Sequence, residues 1–177
     1  MSQARIHCDL ADSAERMINP TAAMDFVQDP AHGGCTQFVG TVRNHNQGKQ
    51  AIGISYQIFA PLALRVFQRA AEQALSDYDQ PMRIFIEHAH GRLAVGDVAV
   101  VVSVSTPHRD EAFRACRDII ETVKHAAPIW KQEHYADGDS EWSQGCSLCG
   151  HRDQAANKPA HEHEHSRSHD HDHSHEH

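Results

Sequence analysis

The sequence predicts an α+β fold: a mixed, largely antiparallel sheet with helices packed on one face, followed by a disordered His-rich C-terminal tail. Three observations carry this. Two long amphipathic helical patterns start at Pro61 and after Thr106-Pro107. Val98 to Ser105 is almost entirely β-branched, which suits a central strand buried on both sides. The patterns also run strand–helix–strand–strand–helix–strand–strand–helix–strand, and adjacent strands without a helix between them favour antiparallel pairing.

Taken in order, residues 4–10 alternate loosely as a first strand. Asn19-Pro20 supplies an N-cap and a first-turn proline for a helix that buries Met24, Phe26 and Val27 and stops before Asp29-Pro30. His32-Gly33-Gly34 is a turn. Cys35 to Arg43 is a strand in which Gly40 marks a bulge or a close backbone approach. Asn44 to Lys49 is a polar, turn-rich loop, and Ala51 to Phe59 alternates as the partner strand. The helix from Pro61 carries Leu62, Val66, Ala70 and Leu75 inward, with Ala63 and Phe67 widening the stripe. Arg83 to Ala89 is a strand, and Gly91 and Gly96-Asp97 bound a short connector containing Leu93 and Val95. The last long helix buries Phe113, Cys116, Ile119, Ile120 and Val123, and it closes at Lys124-His125 before Pro128. Ile129 to Glu133 then restarts as an extended run.

The 177 residues suit one domain, taken as 1–143, plus an appendage at 144–177. A formal net charge of −8 argues against nucleic acid held by bulk charge, so an anion site has to be a local basic pocket. The start of the chain shows no signal-peptide pattern, and no run is long and apolar enough for a membrane span. The five scattered cysteines read as reduced thiols, and the expected location is the cytoplasm. From His161 onward the chain is histidine mixed with Asp, Glu, Ser and Arg, with nothing apolar to bury. Cys146, Cys149 and His151 form half of a zinc-type ligand set, a possible weak tail site, and the core offers none.

Chemistry points to a basic set: Arg43 at a strand exit, His108 and Arg109 at a helix start, Lys124 at that helix's end, and Lys131 past the Pro128 corner. Arginine gives bidentate contacts to phosphate, a helix N-terminus adds free N–H groups, and a lysine beside other cations becomes a usable nucleophile or proton shuttle.

Four motifs of this set resemble one family. Phe38-Val39-Gly40-Thr41-Val42-Arg43-Asn44-His45-Asn46-Gln47-Gly48, Gly91-Arg92-Leu93-Ala94-Val95-Gly96-Asp97, Ser105-Thr106-Pro107-His108-Arg109-Asp110-Glu111-Ala112-Phe113 and Lys124-His125-Ala126-Ala127-Pro128-Ile129-Trp130-Lys131-Gln132-Glu133 are similar, in order, to the molybdopterin synthase large (catalytic) subunit, the MoaE family. The resemblance runs from about Cys35 to Trp142 and implies an α/β-hammerhead-like fold. It implies a sulfurtransferase that converts cyclic pyranopterin monophosphate into the dithiolene of molybdopterin, in molybdenum cofactor biosynthesis. The two sulfurs arrive as a thiocarboxylate on the C-terminal Gly-Gly of a small ubiquitin-like subunit. A homodimer of large subunits would carry two such partners as a heterotetramer, with no cofactor in the transfer.

By that resemblance Lys124, Lys131 and Glu133 are the catalytic residues. Thr41, Val42, Arg43, His108, Arg109, Lys124, Lys131, Gln132 and Glu133 line the substrate site, with Arg109 acting within one chain or across the dimer. Either lysine could serve as the acid/base that opens the cyclic phosphate. Gln57 and Phe59 stand where the family often has an acidic residue and a tyrosine, and His88-Ala89 stands where it has His-Arg. Two other classes compete: a metal-handling protein working through its tail, and a small anion-binding regulatory module.

Overall fold

The computed structural model describes residues 5–144, with side chains to 142. The expected tail disorder and the Cys146, Cys149 and His151 set lie outside the described residues. The elements are β1 (Ile6–Asp12), α1 (Pro20–Val27), β2 (Gly34–Thr41), β3 (His45–Asn46), β4 (Lys49–Ile58), α2 (Ala60–Asp77), β5 (Arg83–Ala94), β6 (Val98–Thr106), α3 (Arg109–Ala126), β7 (Ile129–Tyr135) and β8 (Ser140–Gln144).

The expected order of elements holds, with β3 and β8 added to it. The sheet runs β2-β6-β5-β4-β7-β8, with β1 beside β5 and β3 beside β4. Among the described residues only the β1–β5 pair is parallel, so the sheet is mixed but mostly antiparallel. The expected connector after residue 89 is in fact the far half of β5. Its first half pairs with β1 and β6, and Gly91 to Ala94 pairs with β4. Gly91 is the joint between the halves: its φ is +90°, and a Cβ there would stand 2.5 Å from Ser13 Oγ. The loop at 44–49 is likewise a tight hairpin, because Gln47 and Gly48 take φ of 49° and 79° and fold β3 onto β4. Gly40 does mark a bulge, where the β2–β6 register shifts between Gly40 and Thr41.

The two long helices share one face of the sheet, as expected. Phe67, Ala70, Ala71 and Ala74 of α2 and Cys116, Ile119 and Val123 of α3 meet Ile84, Ile86, Val100, Val102 and Val104. Burying a residue such as Phe67 contributes about 1.5–3 kcal/mol. The short α1 departs from the one-face expectation. Its Ala23 and Val27 pack on the opposite face, against Phe85, Ala89 and Val101. β6 is therefore covered on both sides, as its β-branched run requires.

Two residues assigned to the core face outward instead, Leu62 at 45% exposure and Phe113 at 61%. Small side chains form much of the actual seams, Ala63, Ala70, Ala71 and Ala74 in α2 and Ala112 and Ala115 in α3. They let the helices lie close to the sheet and turn the bulkier neighbours to solvent. Among the described residues no helix is long and apolar enough to cross a membrane.

Candidate active site

The site grows from the corner between α3 and β7. Pro128 cannot continue a helix, and the cap residue Ala127 is already extended at ψ 137°. Phe59 donates its N–H to the Pro128 carbonyl at 3.2 Å, which ties the corner to the end of β4. β7 then runs antiparallel to β4, with Tyr56 opposite Lys131 and Ile54 opposite Glu133. β8 closes the other flank, with Glu141 opposite Glu133. Side chains alternate along a strand, so Lys131 and Glu133 share one face with Tyr56.

On that face Lys131 Nζ lies 3.0 Å from Glu133 Oε1, and the two side chains are only 12% and 9% exposed. Beneath them His88, on β5, is buried and meets the Tyr56 ring edge-on, with centroids 4.9 Å apart. His88 Nδ1–H donates to the Ala89 carbonyl at 2.8 Å, which leaves Nε2 as the unprotonated nitrogen. Burial and then the nearby charge of Lys124 push His88 down to about 3, so the imidazole is neutral at physiological pH. Burial and then Glu133 push the Tyr56 hydroxyl up to about 12, with Arg43 opposing. The Lys124 charge thus reaches His88, and the Arg43 charge reaches Tyr56. Arg43 is carried there by a fixed backbone, since Val42 donates to the Asp97 carbonyl at 3.0 Å and accepts from Gly96 N–H at 2.9 Å.

Of the expected residues, Lys131 and Glu133 are in direct contact, and Arg43 and Lys124 act by charge on Tyr56 and His88 beside them. The other expected residues fall elsewhere. The Val42 side chain is buried in the core under α1, and Thr41 is exposed at the end of β2. Gln132 projects from the opposite face of β7, where its amide donates to Ser140 Oγ at 3.0 Å. His108 and Arg109 open α3 and line an open cleft of about 470 Å³ with Asp110, Glu111 and Phe113. The start of β2 packs so tightly there that a Cβ on Gly34 would stand 2.9 Å from Arg109 N. Arg109 and Lys124 sit at opposite ends of the helix, about 22 Å apart at 1.5 Å per residue.

The sequence assigns no site role to Tyr56 or to His88, although His88 stands where the family has His-Arg. The β4–β7 register and the bend of β5 bring both in. Chemically the face offers three cations, one carboxylate, a neutral imidazole and a protonated phenol. That combination suits a small, multiply anionic ligand and an oxyanion formed beside it. Among the described residues no group of three or more His, Cys, Asp or Glu side chains is arranged to hold a metal ion.

Comparison with known proteins points the same way. The family model described as MoaE protein matches residues 13–126. A molybdopterin synthase catalytic subunit of Synechococcus elongatus is 46% identical over 132 residues, covering 75% of this chain and 80% of the relative. Molybdopterin synthase catalytic subunit 1 of Mycobacterium tuberculosis is 37% identical over 136 residues, covering 77% and 89%. Among solved structures, molybdopterin synthase from Staphylococcus aureus superposes with a TM-score of 0.68 at 28% identity, over 81% of this chain and 98% of that one. A protein–protein complex of subunits 1 and 2 of molybdopterin-converting factor from Helicobacter pylori contains a chain with the same fold, at a TM-score of 0.60 and 21% identity, covering 80% and 91%.

Proposed function

The chain belongs to the MoaE family, and from that premise we propose that it is the catalytic subunit of a molybdopterin synthase, working as a sulfurtransferase. In this reading it converts cyclic pyranopterin monophosphate into dithiolene-bearing molybdopterin. Sulfur comes from the thiocarboxylate at the C-terminal Gly-Gly of a small ubiquitin-like subunit. The related H. pylori assembly of two subunits supports a partner of that kind. The observation that carries the proposal is the buried Lys131–Glu133 pair sharing a wall with the charges of Lys124 and Arg43.

The division of labour follows from charge. Arg43 binds phosphate as a permanent cation with a planar fork. Lys124 and Lys131 receive the thiocarboxylate, neutralise it, and stabilise the oxyanion that forms when water later attacks the acyl carbon. One of the two also protonates the oxygen released when the cyclic phosphate opens. Glu133 holds the Lys131 ammonium in position with little solvent contact. His108 and Arg109 are too far along α3 to reach their own Lys124, which supports a site completed by the neighbouring protomer of a dimer.

The test is direct. Purified chain, thiocarboxylated partner and cyclic pyranopterin monophosphate are combined, and the dithiolene product is measured. Lys124→Ala and Lys131→Ala are each expected to lose about 100-fold or more in rate, the scale for removing an oxyanion-stabilising group. Product at the normal rate from either variant would overturn the assignment.

A further inference from the structure

Tyr56 has no role in the scheme above, yet it stands at the middle of the site. On β4 it lies opposite Lys131 on one side and opposite Gly91 on the other, and Gly91 has no side chain to cover that flank. Its ring is clamped edge-on by His88 and packs against both core clusters, so the hydroxyl has a fixed address. Glu133 and Arg43 both act on that hydroxyl, one from each sign of charge. Among the described residues nothing hydrogen-bonds to it. A tyrosine needed only for packing gains nothing from a hydroxyl that has to be partly desolvated.

We propose that Tyr56 is a further substrate-binding residue of this site, its hydroxyl donating a hydrogen bond to an anionic oxygen of the reacting groups between Arg43 and the Lys131–Glu133 pair. The inference rests on the sulfurtransferase reading. Arg43, Lys124 and Lys131 already crowd positive charge onto one face, and a fourth cation would be repelled by all three. A neutral donor adds a hydrogen bond without adding charge. With its phenol pushed up to about 12, Tyr56 keeps that proton throughout the working pH range. Two oxygens share the required chemistry: a phosphate oxygen of the pterin, and the acyl oxygen of the partner's C-terminus as it becomes an oxyanion.

The experiment uses Tyr56→Phe in the complete enzyme with thiocarboxylated partner, with Lys131→Ala run in parallel. The expected result is a loss of about ten-fold with Tm unchanged, as for one hydrogen bond to a charged acceptor. The loss appears in KM for the cyclic pterin if the acceptor is phosphate, and in kcat if it is the oxyanion. Incorporating fluorotyrosine at position 56 restores the donor in the same shape, and is expected to bring the rate to within about two-fold of wild type. Tyr56→Phe kinetics within about two-fold of wild type, or equal losses with phenylalanine and fluorotyrosine, refute the proposal. In that event continued inactivity of Lys131→Ala leaves the sulfurtransferase reading standing, whereas a wild-type chain that makes no dithiolene removes both.

Discussion

Glu133→Gln asks how the chain tolerates a buried charge pair. Lys131 Nζ and Glu133 Oε1 are 3.0 Å apart, both side chains are about nine-tenths buried, and the flanking β4 and β8 prevent β7 from moving outward. At an effective dielectric near 20, attraction at that distance is about 5 kcal/mol, and desolvation of the two ions cancels much of it. Removing one partner leaves the other charge buried and unpaired, which costs about 3–5 kcal/mol in buried pairs generally. The pair keeps slight solvent contact, so about 3 kcal/mol is the working figure for Glu133→Gln or for Lys131→Met alone. In a domain of this size that is roughly a 10 °C fall in Tm.

Replacing both at once, Lys131→Met with Glu133→Leu, removes the desolvation cost with the attraction and should stay within about 1 kcal/mol of wild type. Urea unfolding of wild type, Lys131→Met, Glu133→Leu and the double variant closes a double-mutant cycle. Losses of about 3 kcal/mol for each single and at most about 1 kcal/mol for the pair give a coupling of about 5 kcal/mol. Additive single effects would show that the two side chains do not depend on one another, and the placement of Lys131 by Glu133 would then fail. The double variant is expected to fold and to be inactive, which separates stability from chemistry within one set of variants.

The neutral, buried His88 predicts a pH dependence of stability. Its folded pKa lies near 3, below the unfolded value near 6.5, so the unfolded chain binds the proton more readily. Stability is therefore complete above about pH 6.5 and falls with acidification toward pH 3, at up to about 1.4 kcal/mol per pH unit, and His88→Gln should remove that component from an unfolding titration. If Arg109 serves the neighbouring protomer, mixing inactive Arg109→Ala and Lys131→Ala chains should restore roughly a quarter of the activity by forming one intact site per mixed dimer, measured after subunit exchange. Truncation after Gln144 keeps β8 whole and is expected to leave dithiolene formation unchanged. A truncated chain without activity would bring the Cys146, Cys149 and His-rich segment into the reaction.

Most of the fold is legible because it rests on periodicity. The β-branched run of β6 and the helical stripes of α2 and α3 identify themselves by spacing, and Asn19-Pro20 marks the start of α1 by its capping chemistry. Asn19 Oδ1 does accept from Thr21 and Ala22 N–H. What escapes is set by contacts distant in sequence. Gly91 looks like the end of a strand, but it is a bend within β5 that no local pattern distinguishes from a turn. Gln47-Gly48 is a weak hairpin signal compared with Asn-Gly, so β3 reads as a loop. Phe113 looks like core because it is apolar and helical, yet Ala112, Ala115 and Cys116 take the buried positions beside it. In the site, motifs supply Lys124, Lys131 and Glu133, whereas the places of Tyr56 and His88 beside them follow only once strand register is known.

The corner at Ala127-Pro128 gives these observations a common cause. Two lysine heads placed on one mobile loop would each lose about 2 kcal/mol of rotamer freedom when a ligand fixed them, and their repulsion would push them apart. Here they are carried by different rigid elements, Lys124 by the last turn of α3 and Lys131 by the middle of β7, and the corner sets the separation. The Lys131 ammonium is restrained beforehand by Glu133, and the wall behind it is built of neutral groups, His88 and Tyr56, that fill space without competing for the anion. A body of net charge −8 repels anions at long range, but at physiological salt that field decays over about 8 Å. Recognition therefore has to be short-range and preorganised, and a buried, pre-paired lysine set against a second cation across a proline corner meets that requirement.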